Sequence, residues 1–560
     1  MTTYKTKTLL PGVLCSASIA LLSASATKAH EACTSYIVEG QSAESVAKAV
    51  DKVGGHITHE LPIINGVSAL LTRSQVTVLR RQKQLTLFTD APVTSQSQTQ
   101  YMYNPYGYYA YTVGNAPIDP YARSMAGVED AAAAGFDGTG VTIAVLDSGV
   151  WNQDFNVNSN SNRRNRLLAV YDAIVGVQGA AQDQYGHGTH ITTVMTSPDT
   201  SVTGHPLGIA PGANLVAVKA FDQNGTSSYA QVISGLNWVL TNRGAYNIRV
   251  LNLSFGAKPQ SYYWNDPIDQ AVMKLWQAGV VVVTSAGNFG PKAQTIAVPG
   301  NTPYVITVGA VTDNWTPDDP TDDGVTSFSS AGPTFEGFVK PEVVAPGGHL
   351  LGDMDARSMM IPKQHPAFAT PDYNKYVMSG TSQAAAVVSG VVALMIQSNP
   401  RLGPDQIKCR LIASAAGLVS SRGTAAYSIF QQGAGLVNAY NAIFSQAANC
   451  ANQGLNIAAD IAGTAHYGGP AHQDPATGQF YVVDANGKPM SVDGYLWNNT
   501  FATNQGYLWN NGYLWNNGYL WNNGYLWNNG YLWNSGYLWN QTTMTPASTP
   551  MANESWNSQE

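Results

Sequence analysis

Between Ser42 and Val53 the apolar residues Val46, Ala49, Val50 and Val53 recur at helical spacing, with Ser42 at the cap position and Gly54-Gly55 closing the run. Three β-type runs surround this helix, at Tyr36–Val38, Ile63–Leu71 and Leu85–Phe88, and a second, short helix is predicted from Ser74 through Arg81. Pro62 falls just before the middle run, where a missing N–H does no harm. Residues 33–94 are therefore predicted to form a small α+β unit. Residues 95–120, rich in Gln, Ser, Tyr, Asn and Pro, read as a linker. Past 121 the pattern changes. Gly140–Leu146 is a near-continuous β-branched run, as a strand buried on both faces would be, while Ile191–Met195 and Val387–Ile396 read as apolar helices.

The two ends follow other rules. Lys5 and Lys7 precede an apolar run from Leu9 to Leu22 and then small residues up to Ala29, the pattern of a secretory signal peptide over residues 1–29. That run is too short to span a membrane, no later stretch of about 20 apolar residues replaces it, and Cys15 sits in a poor context for lipid attachment. At the other end, Gly-Tyr-Leu-Trp-Asn occurs seven times between 494 and 540, at Gly494, Gly506, Gly512, Gly518, Gly524, Gly530 and Gly536. Glycine every six residues opposes a helix. Tyr and Trp, two apart, would share one face of a short strand with Asn-Asn-Gly as the turn, giving a stacked meander with an aromatic ladder. A low-complexity tail without fixed structure is the alternative.

Composition narrows the function classes. Charged residues make up 11% of the 560 and the net charge is −7, against about 25% charged in ordinary soluble domains. With no basic excess the electrostatic footprint of a nucleic-acid binder is missing. A hydrophobic fraction of 44% excludes a disordered acidic chain. Of the four cysteines, Cys15 would leave with the signal and Cys33 lies just past it. Export to an oxidising compartment favours a Cys409–Cys450 bridge over two buried thiols.

Three segments carry candidate chemistry. Asp147 ends the Gly140–Leu146 run, at the carboxyl edge where open α/β sheets place their sites; alone, it could as well cap a turn before Gly149. His187 stands between Gly186 and Gly188, whose missing side chains allow close backbone approach. His190 follows at i+3, so a metal pair is the rival, although neither a third ligand nor a following Glu supports it. Ser382, in Ser379-Gly380-Thr381-Ser382-Gln383-Ala384, opens the long apolar helix, where the helix dipole favours developing negative charge; an ordinary N-cap is the alternative.

Taken in the order Asp, His, Ser, these segments resemble the subtilisin-like serine proteases. The likeness extends through Gly208–Lys219, Val250–Gly256, Val281–Asn288, Ser327–Pro333 and Lys340–Gly347, and covers roughly residues 120–445. It implies an α/β, three-layer fold with a mostly parallel sheet and helices on both faces. It also implies a triad of Asp147, His187 and Ser382, with Asn288 as the oxyanion donor. Ser254, Phe255 and Gly256 would form one wall of the substrate site and Ser285, Ala286 and Gly287 the other, with Val298 and Gly300 near its base. No acid lies in those segments, so broad cleavage with an apolar preference is expected. Residues 33–94 resemble the inhibitory prosegment of the same family. The chain departs from the family after the nucleophile, where Met-Ala-x-Pro-His-Val-Ala-Gly is usual and Gln383-Ala384-Ala385-Ala386-Val387-Val388-Ser389-Gly390 stands here. Structural calcium is common in the family, but the loop Pro198–Pro206 lacks a clear ligand pattern and calcium is left unassigned; no cofactor is required.

The domain organisation expected is a signal peptide (1–29), an inhibitory prosegment (33–94), a linker with the maturation site (95–120), a catalytic domain (121–450) and an extension (451–560) bearing the repeats. The protein is expected to be a secreted, monomeric serine endopeptidase that matures by removing its own prosegment. Its partners are then protein or peptide substrates, the prosegment as inhibitor, and glycan or cell envelope through the aromatic tail. The alternative is a surface adhesin or glycan-binding protein on a protease-like scaffold, which would have no need of all four site residues.

Overall fold

The computed structural model describes residues 31–95, 121–179, 181–201, 204–316, 319–370, 374–418 and 426–483, together with short strand segments beyond. The predicted signal peptide, nearly all of the linker, and most of the repeat region lie outside the described residues.

Ser42 caps helix α1 (Ala43–Lys52), which buries Val46 and Val50. That face lies on a sheet whose strands are β1 (Cys33–Glu39), β2 (His56–Leu61), β3 (Gly66–Thr72) and β4 (Thr86–Thr89), ordered β2-β3-β1-β4 and antiparallel throughout. Helix α2 (Arg73–Arg80) starts at Thr72, whose hydroxyl and the side chain of Gln75 satisfy each other's backbone N–H groups. The middle strand begins later than Ile63. Pro62–Ile64 is one 3₁₀ turn, ended by Asn65 in the left-handed region (φ 54°). This turn carries Ile63 and Ile64 out of the small sheet and into the main core of the molecule.

Residues 92–95 form β5 (Pro92–Ser95), which leaves the small sheet altogether and is described with the site below. The main sheet is built on β6 (Thr142–Asp147), every residue of which is buried. Outward on one side run β7 (Leu167–Asp172), the short antiparallel β8 (Val177–Gln178), and β9 (Asn214–Lys219), which lies between β6 and β7. On the other side, past the separate short strand β10 (Thr226–Ser228), come β11 (Ile248–Leu253), β13 (Val281–Ser285), β14 (Ile306–Thr312) and β16 (Val343–Pro346), all parallel; β12 (Phe255–Gly256) follows β11, and β15 (Gly324–Val325) adds antiparallel to β14. The order is β15-β14-β13-β11-β6-β9-β7-β8, with β16 also on β14. Both faces are covered, which is why these strands read as unbroken apolar runs.

The covering helices include α3 (His187–Thr196), α4 (Tyr229–Asn242), α5 (Pro267–Gln277), α6 (Thr381–Ser398) and α7 (Pro404–Ser414). α6 is apolar and long enough to cross a membrane by composition, yet 89% of it is buried inside the fold. Cys409, on α7, is bonded to Cys450. The small N-terminal unit rests on α4 and α5: Asn237 accepts from the Ile63 N–H at 3.1 Å, Asp90 accepts from the Ala230 N–H at 2.9 Å, and Tyr229 N–H donates to the Ala91 carbonyl at 3.0 Å.

Packing does not stop at the predicted boundary of 450. Asp460, on the short helix α8 (Ile457–Ile461), is buried and accepts from the hydroxyls of Tyr263 (2.5 Å) and Tyr304 (3.1 Å) and from His466 (2.7 Å). Tyr467, Ala471 and Val482 enter the main core. Residues 451–483 therefore belong to the same packed body as the sheet. Strand β17 (His466–Gly468) also pairs antiparallel with Tyr507–Asn510, the strand of a repeat unit.

A buried charge cluster sits below β16. Glu342 takes the ammonium groups of both Lys340 (2.7 Å) and Lys408 (2.8 Å), all three side chains being at most 1% exposed. Burial pushes Lys340 down to about 7, and Glu342 holds it from falling further. Replacing Glu342 by Gln removes the counter-charge that the two buried lysines share, which should cost about 3–5 kcal/mol. Denaturant unfolding of Glu342→Gln beside wild type measures this loss.

Candidate active site

Asp147 ends β6 at the carboxyl edge of the sheet, 1% exposed. Its Oδ1 accepts from the Ser148 N–H at 2.7 Å and from Nδ1 of His187 at 2.8 Å. His187 is the first residue of α3, so this helix begins four residues earlier than the apolar run Ile191–Met195 suggests. Two glycines permit the approach. A Cβ on Gly188 would stand 2.2 Å from the Gly149 carbonyl oxygen, and Gly149 itself has φ +108°. The Gly188 N–H then donates to Ser148 Oγ at 2.9 Å. Nδ1–H donation to Asp147 selects one tautomer of His187 and leaves Nε2 as an acceptor; that atom is buried and has no hydrogen-bond partner.

Asp183, to which the sequence pattern assigns no role, holds the turn ahead of His187. One oxygen accepts from the N–H groups of Tyr185 (3.0 Å) and Gly186 (2.8 Å), the other from the N–H (2.9 Å) and hydroxyl (2.7 Å) of Thr189. Lys219, at the end of β9, spans the same corner by donating to the Ser148 carbonyl (2.7 Å), the Gln182 carbonyl (3.1 Å) and the Gln184 side chain (2.8 Å).

The metal-pair reading of His187 and His190 finds no support in the geometry. His190 Nε2 faces the carbonyls of Leu350 (3.2 Å) and Tyr376 (3.0 Å), and burial holds its imidazole neutral, down to about 3. Among the described residues no cluster of three His, Cys, Asp or Glu side chains is placed to hold a metal ion. Asp199, in the loop considered for calcium, pairs with the Lys375 ammonium at 2.8 Å.

Ser382 lies in the first turn of α6, fully buried. Its hydroxyl donates to the Ser254 carbonyl at 3.1 Å, and the Ser254 hydroxyl donates to the Ser382 carbonyl at 3.1 Å. Asn288 follows β13. Its Oδ1 accepts from the Thr381 N–H (3.0 Å) and hydroxyl (2.9 Å), which turns Nδ2, the donor end, away from Thr381. Thr381 is thus a site residue that sequence reasoning passed over, although it stands beside Ser382 in the motif.

The two predicted walls are brought together. Ser285 Oγ donates to the Phe255 carbonyl at 3.2 Å, Ala286 N–H to the Val308 carbonyl at 2.9 Å, and Gly287 N–H to Thr381 Oγ1 at 3.2 Å. The Phe255 ring is turned inward against Phe221, centroids 5.4 Å apart. Ala257 and Val298 exchange backbone hydrogen bonds at 3.1 and 2.9 Å. Between β10 and β12 lies β5. Thr94 faces Thr226 on one side and Gly256 on the other, and Ser95 faces Phe255. The strand thus ends one residue short of Ser254, the residue that accepts from the Ser382 hydroxyl.

A hydroxyl at a helix N-terminus, an imidazole with an open acceptor backed by a buried carboxylate, and an amide donor are the parts of acyl transfer by a serine nucleophile. The model of the subtilase family matches residues 138–440. Serine protease AprX of Bacillus subtilis (strain 168) is 36% identical over 318 residues, covering 55% of this chain and 67% of AprX. Subtilisin E of the same organism is 28% identical over 413 residues, covering 72% and 88%. The crystal structure of fervidolysin from Fervidobacterium pennivorans, a keratinolytic enzyme related to subtilisin, superposes with a TM-score of 0.56 at 23% identity, covering 76% of this chain and 63% of that one.

The His187–Asp147 bond has a direct spectroscopic consequence. Its Nδ1 proton, buried and bound to a carboxylate, should give one far-downfield proton resonance that disappears in Asp147→Ala and persists in Ser382→Ala.

Proposed function

Because this chain belongs to the subtilase family and is a subtilisin-like serine endopeptidase, we propose that Asp147, His187 and Ser382 are its triad and that it is made as a secreted, self-inhibited precursor. The observation that carries this reading is β5, laid as a third strand between β10 and β12 and ending beside Ser254. A peptide substrate would take the same place.

In the proposed reaction the Ser382 hydroxyl turns from the Ser254 carbonyl to Nε2 of His187, which removes its proton as the oxygen attacks the substrate carbonyl. Asp147 holds the imidazole and stabilises the imidazolium. Nδ2 of Asn288 and the Ser382 N–H donate to the oxyanion; removing such a side-chain donor costs on the order of 3 kcal/mol, a value measured within this family. His187 then returns the proton to the leaving amine, and water hydrolyses the acyl-enzyme. Ser254–Gly256 and Ser285–Gly287 carry no charge, which supports broad specificity with an apolar preference at the residue before the cut.

Residues 33–94 act as the inhibitory prosegment. Strand β5 ends at Ser95, one residue short of Ser254, which supports a maturation cut in the linker that follows, within residues 95–120. Export, the monomeric state, and contact of the repeat region with glycan or cell envelope complete the proposal. Casein hydrolysis and the N-terminus of the secreted protein test it together. Wild type should hydrolyse casein and begin within residues 95–120, while Ser382→Ala should do neither and accumulate uncut precursor. Equal hydrolysis by both proteins would end the reading.

Release of the prosegment should depend on pH through Glu39. This side chain is buried against α5, where Gln270 donates to it at 3.4 Å and Asp266 and Lys274 are the charged neighbours. Burial pushes it up to about 8, against about 4.3 when exposed. The docked form therefore holds the extra proton, and docking weakens as pH rises from about 4.3 towards about 8. The lag before activity appears in full-length protein should shorten from pH 5 to pH 8, once corrected for the pH profile of fully activated enzyme. In Glu39→Gln the lag should be long and flat; an unchanged slope would assign the dependence to another group.

A further inference from the structure

Behind the proposed nucleophile runs a buried polar chain that no part of the reaction above uses. Ser382 and Ser389 are seven residues apart on α6 and so share one face, the face that meets β11. Ser389 Oγ donates to Asn252 Oδ1 at 2.8 Å, Asn252 Nδ2 donates to Ser254 Oγ at 2.9 Å, and Ser254 Oγ donates to the Ser382 carbonyl at 3.1 Å. All four residues are fully buried. Every donor points the same way, from the interior of α6 through β11 to the nucleophile.

We infer that Asn252 is a positioning residue for the reaction, with Ser389 and Ser254 as its relay. The chemistry of direction supports this. With the Ser389 proton on Oδ1, the Asn252 amide can present only N–H to Ser254. With that N–H on its oxygen, the Ser254 hydroxyl directs its own proton onto the Ser382 carbonyl. Ser382 returns a bond to the Ser254 carbonyl at 3.1 Å. Two residues are thus clasped by two opposed hydrogen bonds. One bears the nucleophile and the other immediately precedes β12, the strand on which β5 lies. When the Ser382 hydroxyl turns to His187 the bond from Ser254 Oγ to the Ser382 carbonyl remains, and it sets the height of the Ser382 backbone, and so of its oxygen, relative to a peptide held on β12, a distance on which attack depends steeply. Ser389 stands where the family usually has Ala, so this chain has a hydroxyl to lock the amide where the usual sequence has none.

The inference rests on Ser382 being the nucleophile, and the assay separates the two claims: hydrolysis by Ser382→Ala at the wild-type rate would remove that reading. The variants are Asn252→Ala, Ser254→Ala, their double, and Ser389→Ala, each made as full-length chain and matured. Active sites are counted with a serine-directed covalent inhibitor, so that kcat and KM are reported per competent site. Loss of positioning should lower kcat about tenfold in each of the first two variants with KM within about threefold, a factor corresponding to ~1.4 kcal/mol in the barrier. The double variant should be no worse than the poorer single one, because both break one relay. Ser389→Ala, a substitution to the usual family residue that should fold, should show a smaller loss of kcat in the same sense. A purely structural role would lower the number of competent sites and the melting temperature while leaving kcat per site within about twofold of wild type. That result, or multiplying effects in the double variant, would overturn the inference.

Discussion

A carboxylate at the end of a strand buried on both faces is the constraint around which the rest of the molecule is arranged. Asp147 cannot be solvated where it lies, so its charge has to be met by donors supplied from elsewhere. The Ser148 N–H and the His187 imidazole supply them. Bringing the imidazole so near requires a helix start in contact with the loop after β6, which only glycine at 188 permits. Asp183 then pins the turn that delivers that helix start, and Lys219 closes the corner from the neighbouring strand. The geometry of the proposed triad is thus largely a solution to the burial of one acid.

Much of this was legible in the residues themselves. The unbroken apolar run before Asp147 announced a buried strand, the glycines around His187 announced close approach, and the apolar run after Ser382 announced a core helix. What periodicity misjudged was where elements begin. The helix bearing His187 starts at His187 rather than at Ile191, because its first turn is made of Gly, Thr and His, which carry no apolar signal. Ile63 and Ile64 look like strand residues but form a 3₁₀ turn, because their apolar side chains are spent on the main core rather than on the small sheet. Thr381 and Asn252 were invisible for another reason. Their roles are set by which way a hydroxyl or an amide points, and that is decided by partners more than 90 residues away in sequence.

The low charge content takes on structural meaning as well. Several of the ionisable groups the chain does carry are placed in the interior and matched in groups of three or four, as at Glu342 with its two lysines and Asp460 with two tyrosines and a histidine. Such groups contribute little net stability when matched, yet are costly to unmatch, so they tie distant segments to one arrangement. Asp460 does this for the region past Cys450, which sequence composition assigns to the extension and packing assigns to the core.

That attachment changes what the aromatic repeats can be. Residues 466–468 are gripped by the core on one side and offer a strand edge to Tyr507–Asn510 on the other. The repeat strand Tyr507–Asn510 is therefore set against the wall of the packed body and not at the end of a long tether. Any material held by that strand would stay beside the packed body, where effective concentration rather than diffusion from bulk governs its encounter with the protein.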